Sequence, residues 1–307
     1  MTHVLVLLAA YNGAEWIEAQ IDSILKQEGV TVQIVVSDDA SRDGTPERIA
    51  AAWPHEARIQ VSRATAASGS ASANFLRLMR TVDPAGYDHV ALADQDDTWF
   101  PSKLAVATAK LEQNDAAAYS SAVVARWQDG REALLAQSGR TRIADFLFEG
   151  AGQGCTFVMT NAFFSRVQEF MRSDAAADLQ MHFHDWMLYV LSRAWGERWV
   201  FDPKPGMIYR QHASNDIGAR GGSSGLSRRL GMIREGWYAE QIAKAGDVYL
   251  RAGGNDARVL ALRRQLEGRP QRSWAASLSL AFSLLRVGRR RRVDRAILFV
   301  SAVLGWI

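Results

Sequence analysis

The sequence predicts an α/β protein: a Rossmann-like, mostly parallel sheet flanked by helices, with a helical C-terminal extension. Three observations carry this. Short β-rich runs alternate with stretches of helical periodicity, the pattern that βαβ units leave in a sequence. Polar clusters follow three of those runs directly, where open α/β sheets bind ligands. The composition then changes after Ala219: from Arg220 onward 17 Lys and Arg stand against 6 Asp and Glu, whereas the preceding residues carry 19 against 27.

Residues 4–10 form a continuous apolar run and read as a buried first strand. Residues 15–27 place Ile17, Ile21, Ile24 and Leu25 on one face of a helix, and residues 31–37 read as a second strand. Thr45-Pro46 supplies an N-cap and a first-turn proline for a helix to about residue 52. A short strand near residues 59–61, a helix over 73–80 and a strand at 90–93 follow, and Pro101-Ser102-Lys103 opens another helix. Farther on, residues 186–191 are an apolar helical stretch.

At 307 residues, 48% hydrophobic and 22% charged, the chain can build one large core or a core plus a smaller domain, which excludes a disordered protein. Its single cysteine, Cys155, excludes an internal disulfide framework and a cysteine-based zinc cluster. The amino terminus lacks the basic-then-apolar layout of a secretory signal, so the cytoplasm is the expected compartment.

The polar clusters are Tyr11-Asn12-Gly13 after the first strand, Asp38-Asp39 after the second, and Asp94-Gln95-Asp96-Asp97 after the strand at 90–93. Carboxylates packed as densely as the last group repel one another unless a divalent cation or ligand hydroxyls neutralise them. A dinucleotide site would need Gly-x-Gly-x-x-Gly after the first strand; Ala9-Ala10-Tyr11-Asn12-Gly13 does not supply it, and Gly150-Ala151-Gly152-Gln153-Gly154 lies far downstream. A nucleotide is therefore expected to be held mainly by carboxylates and metal.

Ala10-Tyr11-Asn12-Gly13, Ser37-Asp38-Asp39-Ala40-Ser41-Arg42-Asp43-Gly44-Thr45, and Asp94-Gln95-Asp96-Asp97-Thr98-Trp99 in the place of an Asp-x-Asp motif resemble, in order and spacing, the family 2 glycosyltransferases of the GT-A fold. His184-Asp185-Trp186 resembles that family's acidic catalytic motif. Tyr209-Arg210-Gln211-His212 with Asn215 and Gly218 is similar to a signature of its rhamnosyltransferase-like branch. The resemblance covers about residues 2–220. It implies a catalytic domain over 1–220, with a nucleotide-sugar half to about residue 115 and an acceptor half over 116–220, ahead of a basic helical region at 221–307.

On that resemblance the nucleotide sugar meets Ala10, Tyr11, Asn12, Asp39, Asn74, Asp94, Gln95 and Arg210. Asp39 would accept a hydrogen bond from the imide nitrogen of uracil or thymine, with Tyr11 lining the same pocket. Asp94 and Asp96 are implied at the ribose and at a divalent metal bridging the diphosphate. Asp96, Asp97 and His212 form the candidate metal set, and the choice among the three aspartates stays open. Mg²⁺ or Mn²⁺ suits oxygen ligands and stabilises a departing diphosphate. Arg210 and His212 would neutralise that diphosphate or complete the metal shell. Asp185 is the implied base for the acceptor hydroxyl, although taken alone it also reads as a helix N-cap. Gly154, Cys155, His184 and Trp186 fall on the acceptor side. The implied activity is inverting, metal-dependent transfer of L-rhamnose from dTDP-rhamnose onto a bacterial surface polysaccharide such as O-antigen, or onto a lipid-linked glycan. A UDP-sugar donor and non-catalytic nucleotide-sugar binding are the alternatives.

After Arg220, Gly221-Gly222-Ser223-Ser224-Gly225 reads as a flexible joint. Residues 274–285, the run Arg289-Arg290-Arg291-Arg292 and the apolar residues 296–307 follow. Twelve apolar residues fall short of the roughly 20 that cross a bilayer as a helix. Apolar segments flanking an arginine cluster suit peripheral contact with an anionic membrane face, here the cytoplasmic face of the inner membrane. The alternative is a helical hairpin packed on its own protein or on a second subunit of a homo-oligomer. No nucleic acid partner is expected, because base-stacking modules are missing.

Overall fold

A computed structural model describes residues 1–136, 140–176, 179, 181–212, 231, 233–267 and 272–307. Strand β1 (Thr2–Ala10) is buried continuously from Val4 to Ala10, as befits a strand with parallel neighbours on both edges and both faces covered. Those neighbours are β2 (Val30–Asp38) and β4 (His89–Asp94), and β3 (Ile59–Arg63) pairs in parallel with β2. The sheet continues with β5 (Thr98–Trp99), β6 (Ala118–Trp127), β7 (Glu132–Leu135), β8 (Val158–Thr160) and β9 (Trp199–Gln211). The order is β3-β2-β1-β4-β8-β6-β9-β5, with β7 on β6. The sheet is mixed. β8 runs antiparallel to β4 and β6, β6 and β9 are parallel to each other, and β5 and β7 are antiparallel edges.

Helix α1 (Ile17–Leu25) turns Ile17, Ile21 and Ile24 into the core, as its periodicity predicts. In α2 (Thr45–Ala52), Gly44 takes the N-cap position in the left-handed conformation (φ 84°), displacing Thr45 from the role the sequence suggests. Helix α3 (Ala71–Thr81) begins where the Ser70 side chain accepts from Ala73 N. Helices α4 (Lys103–Gln113) and α5 (Asn161–Arg172) complete this set.

The chain divides into two compact units. The first, residues 1–137, 152–173 and 197–218, contains the whole sheet and α1 to α5. The second, residues 138–151, 174–196 and 219–307, contains α6 (His184–Ala194), α7 (Trp237–Arg251), α8 (Ala257–Glu267), α9 (Trp274–Val287) and α10 (Arg292–Val303). Residues 138–151 and 174–196 thus group with the C-terminal helices, an interleaving that a cut at residue 220 does not describe.

Within the second unit, buried Asp145 accepts from Tyr189 Oη at 2.9 Å and from Arg193 at 2.8 Å, and Arg290 lies 3.4 Å from it. Glu149 pairs with both Arg289 and Arg290, at 3.4 and 3.5 Å. Two members of the four-arginine run are therefore structural ion-pair partners. Helices α9 and α10 pack on each other and bury Leu280, Leu284, Leu298 and Ala302. Among the described residues no helix is long and apolar enough to cross a membrane.

Candidate active site

Beyond β1 the chain turns through Tyr11, Asn12 and Gly13, with Asn12 in the left-handed region (φ 49°), which asparagine tolerates better than most residues. Hydrogen bonds fasten this turn to the one after β2. Asn12 N donates to Ser41 Oγ, Gly13 N to Thr45 Oγ1, and Arg42 N to Asn12 Oδ1, each at 2.9 Å. From the opposite side the Gln95 amide clasps the Tyr11 backbone, accepting from its N at 2.7 Å and donating to its O at 2.9 Å. A Cβ on Gly13 would lie 2.2 Å from Gln95 Oε1, so this close approach requires glycine. Asn12 and Gln95, expected at the ligand, hold their loops with their amides and leave the Tyr11 side chain 52% exposed beside them.

Asp39 is buried at the end of β2, beside the end of β1, where its backbone N donates to Ala10 O. Its carboxylate accepts from Ser68 N, from Ser68 Oγ at 2.8 Å and from Arg77 Nη1 at 2.9 Å. Ser68 N reaches both oxygens, so each oxygen already accepts two hydrogen bonds, and a ligand N–H would have to share one of them. Asn74, also expected at the ligand, is instead turned inward and buried. Its Nδ2 donates to Ser37 O at 2.9 Å and Ala10 O at 3.3 Å, and its Oδ1 accepts from Ser37 Oγ and Arg77. Asn74 braces two strand ends and orients the arginine that reaches Asp39.

β4 ends at Asp94, and the next residues carry the acidic run into the fold, with Asp96 and Asp97 both buried. Asp96 Oδ2 lies 2.5 Å from His212 Nε2, and Arg210 Nε donates to Asp96 O at 3.1 Å. The His212 ring stacks on Trp16 with centroids 4.3 Å apart and planes 14° from parallel. Trp16, Arg126, Trp127, Arg210 and His212 contribute to the lining of a small cavity of about 70 Å³.

Among the described residues neither carboxylate oxygen of Asp97 has a hydrogen-bond partner. Burial, followed by the charges of Asp96 and Asp94, pushes its pKa well above the ordinary carboxylate range. The Cys155 thiol and the Arg210 backbone N–H oppose that shift without making hydrogen bonds of ordinary geometry. An orphaned buried carboxylate of this kind is what a divalent cation would satisfy. Asp94, Asp97 and Cys155 each place a ligand atom within 4.8 Å of the others. The two aspartates offer the hard oxygens that Mg²⁺ or Mn²⁺ selects; Cys155, whose thiol burial keeps protonated, offers a soft donor that those ions do not prefer. The donor set therefore fits a hard cation, and it groups Asp94 with Asp97, whereas Asp96 and His212, expected as ligands, engage each other.

Sequence reading gives Lys103 only the opening of a helix. The side chain is buried, with Nζ 3.5 Å from the Trp99 ring centroid and, among the described residues, no hydrogen-bond partner. Burial depresses its pKa to about 7, against the pull of Cys155 and Asp97. Trp16, Arg77, Lys103, Arg126 and Trp127 are members of this neighbourhood that no motif announces. Gly154 and Cys155 form part of a buried 3₁₀ turn, Gly154–Thr156.

The second unit carries the remaining candidates. Asp185 lies in the first turn of α6, within the helix rather than before it, and its Oδ1 accepts from Trp186 N at 2.7 Å. The helix N-terminus favours its negative charge. Trp186 is buried, with its indole N–H donating to Phe146 O at 2.6 Å, which anchors this end of the helix. His184 keeps part of its surface accessible, yet desolvation depresses its pKa to about 3 and holds the imidazole neutral. Asn215, Gly218 and the joint at 221–225 lie outside the described residues.

The glycosyl transferase family 2 model matches residues 5–171. The dTDP-rhamnosyl transferase RfbG of Shigella flexneri is 32% identical over 300 residues, which is 97% of this chain and 99% of RfbG. The succinoglycan biosynthesis protein ExoO of Rhizobium meliloti is 37% identical over 39% of this chain and 32% of its own length. Among solved structures, TarS of S. aureus has a TM-score of 0.57 at 15% identity, covering 99% of this chain, while this chain spans 54% of TarS. The mannosyltransferase PcManGT from Pyrobaculum calidifontis, solved with GDP-Man and Mn²⁺, has a TM-score of 0.51 at 18% identity over 98% of this chain and 74% of its own. At those identities the likeness shows the fold, which is α/β GT-A.

Proposed function

The chain belongs to glycosyl transferase family 2, and on that premise we propose that it is an inverting, metal-dependent rhamnosyltransferase. It would move L-rhamnose from dTDP-rhamnose to a bacterial surface polysaccharide or a lipid-linked glycan in the cytoplasm. The Shigella flexneri relative named a dTDP-rhamnosyl transferase supports the donor, since the identity runs through nearly the whole of both chains. For the site, the observation that carries the reading is Asp97, a buried carboxylate without a donor among the described residues, next to Asp94 at the end of β4.

In this reading Asp94 and Asp97 hold Mg²⁺ or Mn²⁺, which when bound offsets the charge growing on the departing diphosphate. Asp39 accepts from the pyrimidine imide, and Tyr11 covers the base. Arg210 sits over the acidic run as a cationic partner for phosphate oxygens. Asp185 takes the proton of the acceptor hydroxyl as that oxygen attacks the anomeric carbon. The bond to the nucleoside diphosphate breaks, dTDP leaves, and the new glycosidic bond has the opposite anomeric configuration. His184, held neutral, adds no charge to the acceptor side.

A UDP-sugar is the second reading, because a carboxylate at Asp39 meets the same imide N–H in uracil and thymine. A TarS structure, here a guide to fold alone, was solved with UDP-GlcNAc. The test is a donor panel of radiolabelled dTDP-rhamnose, UDP-sugars and GDP-mannose, each with Mn²⁺, Mg²⁺ or EDTA. Nucleoside diphosphate release is the readout, and the product anomer is assigned by NMR. Turnover of dTDP-rhamnose that EDTA stops is the expected result. Absence of turnover with every donor, with or without metal, overturns the proposal.

A further inference from the structure

Six large apolar side chains are exposed on, or at the end of, two helices of the second unit: Trp274 (71%), Phe282, Leu285, Val293 (72%), Val300 and Leu304. Elsewhere among the described residues such side chains are scattered singly, which is ordinary; concentration on α9 and α10 is not. The two helices already bury Leu280, Leu284, Leu298 and Ala302. At helical spacing Phe282 and Leu285 lie on a flank of α9 away from those residues, and Val293, Val300 and Leu304 form a stripe along α10. The Phe282 and Phe299 rings meet edge to face at 5.5 Å, so the exposed flank of α9 abuts α10.

The charges beside this surface are sorted. Arg289 and Arg290 are held by Glu149 and Asp145 inside the unit, whereas Arg286, Arg291 and Arg292 are exposed at the turn between the helices. We propose that the α9–α10 hairpin seats the protein on an anionic lipid bilayer, with both helices in the interface plane, the apolar surface in the acyl boundary, and Arg286, Arg291 and Arg292 against lipid phosphates. Helices of 14 and 12 residues reach about 21 and 18 Å, too short for a hydrocarbon core of about 30 Å, so they lie on the membrane and do not span it. A second copy of the chain is a poorer occupant, because a two-fold interface centred on this hairpin sets arginines against arginines. Anionic headgroups are complementary to the same charges. The inference rests on the proposed function for its purpose, since a lipid-linked acceptor is presented at such a surface.

The test is cosedimentation of the full chain with vesicles of phosphatidylglycerol and phosphatidylethanolamine, and with phosphatidylcholine alone. Binding to the anionic vesicles is expected, weakened in 0.5 M salt by screening, and weakened at least about tenfold by Val293→Glu and by Trp274→Glu. Thermal unfolding should stay unchanged in at least one of the two variants, which separates a surface effect from misfolding. Failure to bind anionic vesicles, equal binding to phosphatidylcholine in high salt, or binding that both well-folded variants retain overturns the proposal. A concentration-dependent dimer that Val293→Glu dissolves, without vesicle binding, assigns the face to a second copy and also overturns it. Vesicle binding without sugar transfer would sink only the proposed activity; transfer without vesicle binding would sink only the membrane seat.

Discussion

Replacing Asp97 by asparagine should raise the melting temperature of the metal-free protein and remove its response to manganese. The carboxylate is buried and both oxygens lack a donor among the described residues. An unsatisfied buried polar group costs about 1–3 kcal/mol, and a charged one more, so exchanging it for a neutral amide recovers on the order of 1–2 kcal/mol near pH 7. For units of this size that corresponds to a rise of about 2–8 °C. The pKa of Asp97 is raised above its ordinary 3.8, so its contribution to stability is fully present below that value and is lost as pH rises through the folded-state value. In EDTA the advantage of the variant should therefore shrink as pH falls. A cation at a hundred times its Kd stabilises the wild type by about 2.7 kcal/mol, enough to reverse the order of the two proteins. Scanning fluorimetry in EDTA and in MnCl₂ reads this crossing. A variant that melts below the wild type in EDTA at pH 7, or manganese shifts of equal size in both, would refute the reasoning.

Asp185→Asn should lower kcat by about 10²–10⁴-fold while calorimetry shows nucleotide-sugar binding intact; a turnover number near wild type removes it as the base. Gly13→Ala drives a Cβ into Gln95 Oε1 and should break both bonds of the clasp on Tyr11, costing about 1–3 kcal/mol by urea denaturation and raising the donor KM. Unchanged stability and KM would show that the clasp does not matter. Lys103 has its pKa depressed to about 7 from 10.5, so its burial costs the fold progressively more as pH falls from about 10.5 to about 7, and the cost is constant below that. Lys103→Met should accordingly be stabilised relative to wild type at pH 6, with the difference fading toward pH 10; an advantage that grows with pH contradicts the assignment.

The first half of the sheet is legible in the sequence because burial on both faces demands uninterrupted apolar runs, as in residues 4–10. β9 is not. Its thirteen residues include Pro203, Pro205 and Gly206, which read as loop, and they are accommodated where the ladder with β6 shifts register around Ala122. The two residues of β5 are too few to leave a pattern. At the site, the acidic run is visible because like charges in sequence need a shared counter-ion. What surrounds it is invisible: Lys103 looks like an ordinary first-turn lysine, and the stacking of Trp16 on His212 joins residues nearly two hundred positions apart. Asn74 shows the converse, a polar residue placed correctly beside the strand ends but facing into the protein. The four consecutive arginines read as one basic patch, yet tertiary partners divide them, because Asp145 and Glu149 are supplied by a segment 140 positions earlier.

That division bears on how the protein can be shortened. A fragment ending ahead of Arg289 would strip Glu149 of both cations and leave Asp145 with Arg193 as its remaining charged partner among those described. Trimming the tail to improve solubility would thus strand carboxylates far upstream. The extremity that looks like a detachable handle is, electrostatically, a keystone of the unit that carries Asp185.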